Sequence, residues 1–209
     1  RGIAKALTKT ALQNIESKGV GENWLQVKND NQAALHLYDD FAFETLMTRT
    51  TWVKKKANTL FLKETNATMR KRRKADWSIQ RDQFIALHPP QLTASFGFEI
   101  GSFQPSLKRF IIDSLHDRIK IHWMDEMGET KGFISYELVP YQTYLNLWLA
   151  VPQEKSVESH FLRTLIPFAH GRVGKEIRVN YPAGRAEESF SVIGMHMLNT
   201  LHWKRRKIS

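Results

Sequence analysis

The sequence contains no cysteine. This absence excludes disulfide bonds and thiolate metal sites, and it suits a reducing compartment, so we expect a cytoplasmic protein. The sequence also lacks an apolar run of about 20 residues, the length that a membrane-spanning helix needs, and it does not open with a secretory signal. We therefore expect no membrane association.

Motifs of several enzyme classes are missing as well. The eight histidines are scattered, without an H-x-H or H-E-x-x-H pattern, so we expect no metal site. His202 is expected to be an ordinary strand residue. The acidic pairs Asp39-Asp40 and Glu187-Glu188 are helix neighbours that do not face one another. No G-x-S-x-G elbow and no P-loop occurs, which removes serine hydrolases and P-loop nucleoside triphosphatases.

The chain is strongly basic, with a formal net charge of +10 and a pI near 9.8. This charge favours polyanions, which include nucleic acid, a membrane surface and a phosphate-rich cofactor, but it does not choose among them. The densest basic run lies at residues 69–74. Because no aromatic residues are interleaved with its charges, the run is more typical of a solvated connector than of a nucleic-acid surface. We do not expect nucleic-acid binding.

The first segment of the chain predicts a helix from about Gly2 to Ser17, ended by two glycines. Its apolar residues recur at spacings of four, at Ile3, Leu7, Ala11 and Ile15. Gly2 and Ala4 stand at the helix start, where small residues and the helix dipole favour a phosphate group. Taken alone, such a turn is also compatible with an ordinary helix start.

A short strand at 24–27 and a second helix follow. Asn31 is among the capping candidates of this helix, which carries Tyr38 and ends near Phe43. Asn31 and Tyr38 are seven residues apart, two helical turns, so they lie on nearly the same helix face. A core role for the Tyr38 ring remains an alternative to a chemical one.

This order of a small-residue turn, helix, strand and second helix resembles the second half of an N-acetyltransferase of the GNAT superfamily. The turn pattern of that family is Q/R-x-x-G-x-G/A, and Gly2-Ile3-Ala4 match its last three positions. In the second helix, five residues fall on family positions and one replaces the usual glycine. The five are Asn31, Ala34, Leu37, Tyr38 and Phe43, and the replacement is Ala42.

The resemblance implies transfer of an acetyl group from acetyl-CoA to a primary amine. It implies that Tyr38 is the general acid that protonates the departing thiolate, while backbone N–H groups stabilise the oxyanion. It also implies a set of cofactor-binding residues, which are Arg1, Gly2, Ile3, Ala4, Lys5 and Asn31.

The rest of the chain is similar to a complete GNAT-like domain. From residue 75, the pattern predicts helix, helix, three strands, helix, strand, helix and strand. The predicted fold is therefore α/β (α+β), with a mixed, mostly antiparallel sheet flanked by helices, in two related units in tandem. The predicted boundaries are residues 1–56 for half a GNAT domain, 57–74 for a basic connector and 75–209 for a second domain.

The second domain is predicted to be degenerate. Residues 179–203 repeat the strand, helix and strand of residues 27–52, and both segments end in tryptophan. In the second copy, Val157 and Ser159 stand where the first has Gly2 and Ala4, and Ser189 or Phe190 stands in place of Tyr38. We expect the first unit to be catalytic and the second to be a scaffold.

The first unit matches only half of a domain, so we expect further strands, and the general base, upstream of this sequence. A half domain would leave a sheet edge without a pairing strand, and such an edge tends to associate. We therefore expect this edge to be covered by the second unit, by residues outside this sequence or by another copy of the chain in a homodimer. A rival interpretation is a non-catalytic GNAT-like module that binds a partner protein or a polyanion through its basic surface.

Overall fold

The computed structural model describes residues 2–56, 69–89, 99–115 and 118–208. The described helices are α1 (Ile3–Glu16), α2 (Gln32–Asp40), α3 (Trp77–Leu87), α4 (Leu107–Leu115), α5 (Lys155–Val173) and α6 (Glu187–Val192). The described strands are β1 (Glu22–Lys28), β2 (Glu44–Lys54), β3 (Arg70–Lys71), β4 (Ile119–Met127), β5 (Thr130–Leu138), β6 (Tyr144–Ala150), β7 (Glu176–Pro182) and β8 (His196–Lys207). Short 3-10 turns occupy Lys74–Asp76 and Ile100–Phe103.

The chain divides into two compact units. The first unit comprises residues 1–50 and 199–209, and the second comprises residues 51–198. This division differs from the boundaries expected from the sequence, because the end of the chain belongs with its beginning. The physical reason is strand pairing, since β8 pairs antiparallel with β1 in a register that runs from Lys28 opposite Leu201 to Glu22 opposite Lys207.

In the first unit, β8 lies between β1 and β2. Side-chain hydrogen bonds join β2 to β8, from Thr48 to His202 at 2.9 Å and from Thr50 to Thr200 at 2.8 Å. Helix α1 agrees with the predicted span, but its apolar stripe is not a buried face. Ile3 is 74% exposed, whereas Leu12 is buried.

The second unit is a mixed sheet in the order β2-β7-β6-β5-β4-β3, to which β2 contributes its last residues. The pairs β3–β4, β4–β5 and β5–β6 are antiparallel, and β6–β7 is parallel. The parallel pair requires a crossover, and α5 supplies it. The predicted α/β fold, a mostly antiparallel mixed sheet flanked by helices, is confirmed. The tandem relationship of the two units stays a prediction.

Two apolar clusters form the core of the second unit. Helix α5 supplies a fully buried face to the larger cluster, consisting of Phe161, Leu162, Leu165, Ile166 and Ala169. On α3, Phe84 packs in the smaller cluster with Phe103, Met124 and Phe133. Burial of such aromatic and aliphatic side chains stabilises the unit by roughly 1.5–3 kcal/mol each.

The predicted basic connector is only partly within the described residues, since 57–68 lie outside them. Residues 69–74 pack in the second unit, where Arg70 and Lys71 form β3 opposite Met124 and Trp123. Arg70 is held there by the buried carboxylate of Asp76. Among the described residues, no helix is long and apolar enough to cross a membrane.

Candidate functional site

The turn that opens α1 has the features of an anion-binding helix start. Gly2 has φ +104°, a left-handed conformation that side chains with a Cβ adopt only with strain. No side chain caps the helix, and its first turn carries no acidic residue. The first turn-closing bond runs from Ala6 N–H to the Gly2 carbonyl at 3.0 Å. The N–H groups of Ile3, Ala4 and Lys5 therefore remain available to a phosphate.

Lys5 joins this turn to the last turn of α2. Its ammonium donates to Asp40 Oδ2 at 2.8 Å, and both side chains are more than half exposed. The hydrogen bond from Lys5, and then its charge, lower the pKa of the Asp40 carboxyl. The pair contributes little to stability because solvent screens it. It does place the α2 turn that carries Tyr38 beside the first turn of α1.

Tyr38 is half-buried, and its ring meets Phe43 edge-on, with the ring centroids 5.7 Å apart. Its backbone carbonyl accepts hydrogen bonds from the N–H groups of Phe41 and Phe43 at the end of the helix. Among the described residues, none hydrogen-bonds the Tyr38 hydroxyl. The ring is thus fixed by packing, while the phenol remains free to donate a proton.

Asn31 begins α2 and caps it. Its side-chain oxygen accepts a hydrogen bond from the Ala34 N–H at 3.1 Å, the arrangement expected of an N-cap asparagine. Asn31 and Tyr38 lie about 10 Å apart along the helix axis. The structure thus groups Gly2, Ile3, Ala4 and Lys5 in one turn, with Tyr38 on the neighbouring helical turn and Asn31 at the far end of α2. Arg1 lies outside the described residues.

In the second unit, the first turn of α5 carries a buried carboxylate. Glu158 lies in the first turn of α5 and is 3% exposed. It pairs with Arg185 at 2.8 Å and accepts a hydrogen bond from the Tyr181 hydroxyl. Val157 packs in the larger apolar cluster of that unit. The sequence comparison singled out Val157 but missed Glu158, because its partners lie 23 and 27 residues away.

The two short helices α2 and α6 end in the same way. Ala42 and Gly194 are both left-handed, with φ of 59° and 77°. The next residue donates its N–H back into the helix in each case, from Phe43 to Tyr38 O at 3.0 Å and from Met195 to Phe190 O at 2.9 Å. This is the hydrogen-bond pattern of a Schellman motif. Phe190 therefore occupies in α6 the place that Tyr38 occupies in α2.

Sequence reasoning also missed a buried cation in the first unit. Lys204 is 3% exposed, and its ammonium donates to Asp39 Oδ1 at 2.6 Å. Lys204 lies in a run of basic residues at the end of the chain, which gave no signal that one of them is buried. Within the ranges that the structure describes, no three histidine, aspartate or glutamate side chains come together as a metal site would require.

No family profile and no curated protein matches the sequence. Solved structures do match the fold. A GCN5-related N-acetyltransferase from Kribbella flavida aligns with a TM-score of 0.59 at 7% identity, over 99% of this chain and 76% of that one. The GCN5-related N-acetyltransferase from Sphaerobacter thermophilus aligns with a TM-score of 0.55 at 10% identity, over 99% and 68%.

Other matched structures are considerably longer. The chain covers 51% of a GCN5-related N-acetyltransferase from Anabaena variabilis, at 10% identity and a TM-score of 0.49. At these identities the likeness concerns the fold, and the fold is that of GNAT N-acetyltransferases.

Proposed function

We propose that this protein is an acyl-CoA-dependent N-acetyltransferase that moves an acetyl group from acetyl-CoA to a primary amine. The observation that carries the proposal is the uncapped left-handed turn at Gly2, in a chain with the fold of GNAT N-acetyltransferases. The first unit is the catalytic one in this proposal. The acceptor is an amine of unknown identity.

The turn binds the pyrophosphate of acetyl-CoA. The N–H groups of Ile3, Ala4 and Lys5 point along the positive end of the α1 dipole, where an anion is favoured. Gly2 keeps the backbone close to the phosphate. Arg1 adds positive charge, and so does Lys5 once it exchanges Asp40 for phosphate. The amide of Asn31 contacts the pantetheine or pyrophosphate arm.

The chemical step is aminolysis of the thioester. The amine nitrogen attacks the thioester carbonyl, a C–N bond forms, and the C–S bond breaks. The amine proton leaves to a general base. Tyr38 donates its hydroxyl proton to the departing thiolate. This step requires a hydroxyl that is not already hydrogen-bonded to another protein group. The free Tyr38 hydroxyl supports that assignment.

The second unit is a scaffold in this proposal. The first turn of α5 carries the buried carboxylate of Glu158, whereas the first turn of α1 carries no acidic residue. Phe190, which cannot donate a proton, stands in place of Tyr38 and stacks on Trp52 with ring centroids 4.9 Å apart.

We also propose that the protein is cytoplasmic and forms a homodimer.

The test is acetyl-CoA-dependent release of free CoA thiol in the presence of a panel of primary amines. The assay suits this chain because a protein without cysteine contributes no thiol of its own. We expect release that requires both the amine and the enzyme. Tight binding of acetyl-CoA without thiol release for any amine would favour the alternative, a non-catalytic GNAT-like module that binds a partner protein or a polyanion.

A further inference from the structure

The second unit contains a cavity of about 490 Å³ to which the proposed acetyl transfer assigns no role. It lies between β3, the segment 102–106, α4 and the beginning of β4. The lining includes Arg72, Phe103, Pro105, Ile119, Lys120 and His122. All of these residues belong to the second unit, whereas the proposed cofactor turn belongs to the first.

Arg72 is a half-buried cation in this lining. The nearby charge of Asp76 offsets part of its desolvation, and its guanidinium carbon lies 5.5 Å from the centroid of the Trp77 ring. One guanidinium nitrogen donates to Gln80 Oε1 and to the Phe103 carbonyl, each at 2.7 Å, and both acceptors are neutral. Among the described residues, no carboxylate pairs with Arg72, and its buried Nε has no hydrogen-bond partner. Burial lowers the pKa of Arg72 to about 10, so it stays charged at neutral pH. An anion in the cavity would offset the remaining desolvation cost of this guanidinium.

The other cations of the lining are already paired. Lys120 lies 3.0 Å from both carboxylate oxygens of Asp113. Arg118 is more than half exposed and lies 3.7 Å from Glu137. Among the described residues of the lining, Arg72 is therefore the cation that no carboxylate contacts directly.

A chain of hydrogen bonds fixes the proton on His122. Gln80 accepts from Arg72 through its oxygen, so its Nε2 donates to Ser135 Oγ at 2.9 Å. The Ser135 hydroxyl then donates to His122 Nδ1, 2.7 Å away. Burial lowers the pKa of His122 to about 3, so the ring is neutral and its one proton lies on Nε2. His122 adds a hydrogen-bond donor to the cavity but no charge.

We propose that this cavity binds an organic monocarboxylate. The carboxylate accepts a charge-assisted hydrogen bond from Arg72 Nη2, since Nη1 already donates to Gln80 and Phe103, and it accepts a further hydrogen bond from His122 Nε2. The apolar body of the ligand lies against Phe103, Pro105 and Ile119. A monocarboxylate brings one negative charge to this cation, whereas a phosphate dianion brings two.

Calorimetric titration with hexanoate, hexanamide and inorganic phosphate tests this assignment. The amide has the shape of the acid without its charge. We expect hexanoate to bind at least tenfold more tightly than hexanamide, and phosphate to bind more weakly than hexanoate. The proposal is overturned if hexanoate does not bind, if the amide binds equally well, or if phosphate binds best.

Variants locate the site. Arg72→Gln should weaken hexanoate binding at least tenfold, whereas Arg81→Gln should change it less than twofold, because that residue is half exposed and does not line the cavity. Ser114→Trp fills the cavity from an exposed lining position and leaves the Arg72 hydrogen bonds in place. It should also weaken binding at least tenfold. If Arg72→Gln does not fold, unchanged binding by Ser114→Trp is enough to reject the site.

Discussion

The carboxylate of Asp76 accepts two hydrogen bonds from the guanidinium of Arg70, at 2.9 and 3.1 Å. It also accepts the backbone N–H of Arg73 at 2.7 Å and the ammonium of Lys131 at 3.2 Å. Asp76 is 3% exposed. One buried carboxylate thus holds the basic segment 69–74 at the edge of the second unit's sheet.

Replacement of this carboxylate should destabilise the second unit. We expect Asp76→Asn to lower the free energy of unfolding at pH 7 by about 2–3 kcal/mol, because charged hydrogen bonds are lost while their donors stay partly buried. Urea unfolding followed by tryptophan fluorescence measures the change. Asp82→Asn is the matched control: Asp82 is 65% exposed and pairs with its neighbour Arg81, so its loss should cost less than about 0.5 kcal/mol.

The same carboxylate predicts a pH dependence. The hydrogen bonds from Arg70 are the largest cause that holds the pKa of Asp76 below its ordinary value of 3.8. A depressed folded-state pKa contributes stability that is complete above pH 3.8 and is lost as the pH falls toward the folded-state pKa. The stability difference between wild type and Asp76→Asn should therefore be smaller at pH 2.5 than at pH 7. An equal difference at both values would contradict the assignment.

The left-handed residues that end α2 and α6 predict a pair of opposite effects. Ala42 has φ 59°, so Ala42→Gly should raise the free energy of unfolding by about 0.5–1 kcal/mol through relief of strain. Gly194→Ala should lower it by about 1 kcal/mol. Strain is the cause in the second case, because a Cβ at Gly194 would meet its nearest atoms, on Lys54, at ordinary distances of 3.8 and 3.9 Å. Thermal unfolding of both variants measures the changes, and a shift of the same sign in both would refute the explanation.

Tyr38 should affect turnover and not cofactor binding. Removal of its hydroxyl in Tyr38→Phe takes away the proposed proton donor but keeps the ring that packs on Phe43. We expect kcat to fall about 100-fold, in the range for loss of general acid catalysis, while the Kd for acetyl-CoA changes less than twofold. Tyr141→Phe is the control, since Tyr141 is fully exposed. An unchanged kcat in Tyr38→Phe would leave the ring with a packing role alone.

Local features of the fold were predictable from the sequence because local patterns encode them. The span of α1 follows from apolar residues that recur at spacings of four, and the start of α2 follows from an asparagine cap. The partner of β8 was not predictable in this way. Its pairing with β1 joins residues more than 170 positions apart, and nothing in either strand alone specifies that neighbour.

The candidate site was predictable in part. The glycine turn at Gly2 carries a recognisable spacing, and its left-handed φ explains the need for glycine. The basic segment was misleading because charge density alone does not show which cations find buried partners. The partners of Arg70 and Arg72 are Asp76 and Gln80, six and eight residues ahead, and only the turn at 74–76 brings them into reach.

The most direct measurement is calorimetric titration of acetyl-CoA into wild type, Gly2→Ala and Gly19→Ala. Gly2 and Gly19 both have positive φ and no atoms within 4 Å of an added Cβ, so neither substitution would introduce a steric clash. We expect wild type and Gly19→Ala to bind acetyl-CoA equally, and Gly2→Ala to bind at least tenfold more weakly. Absence of binding to wild type, or equal binding by all three proteins, would contradict the assignment of the Gly2 turn as the acetyl-CoA site.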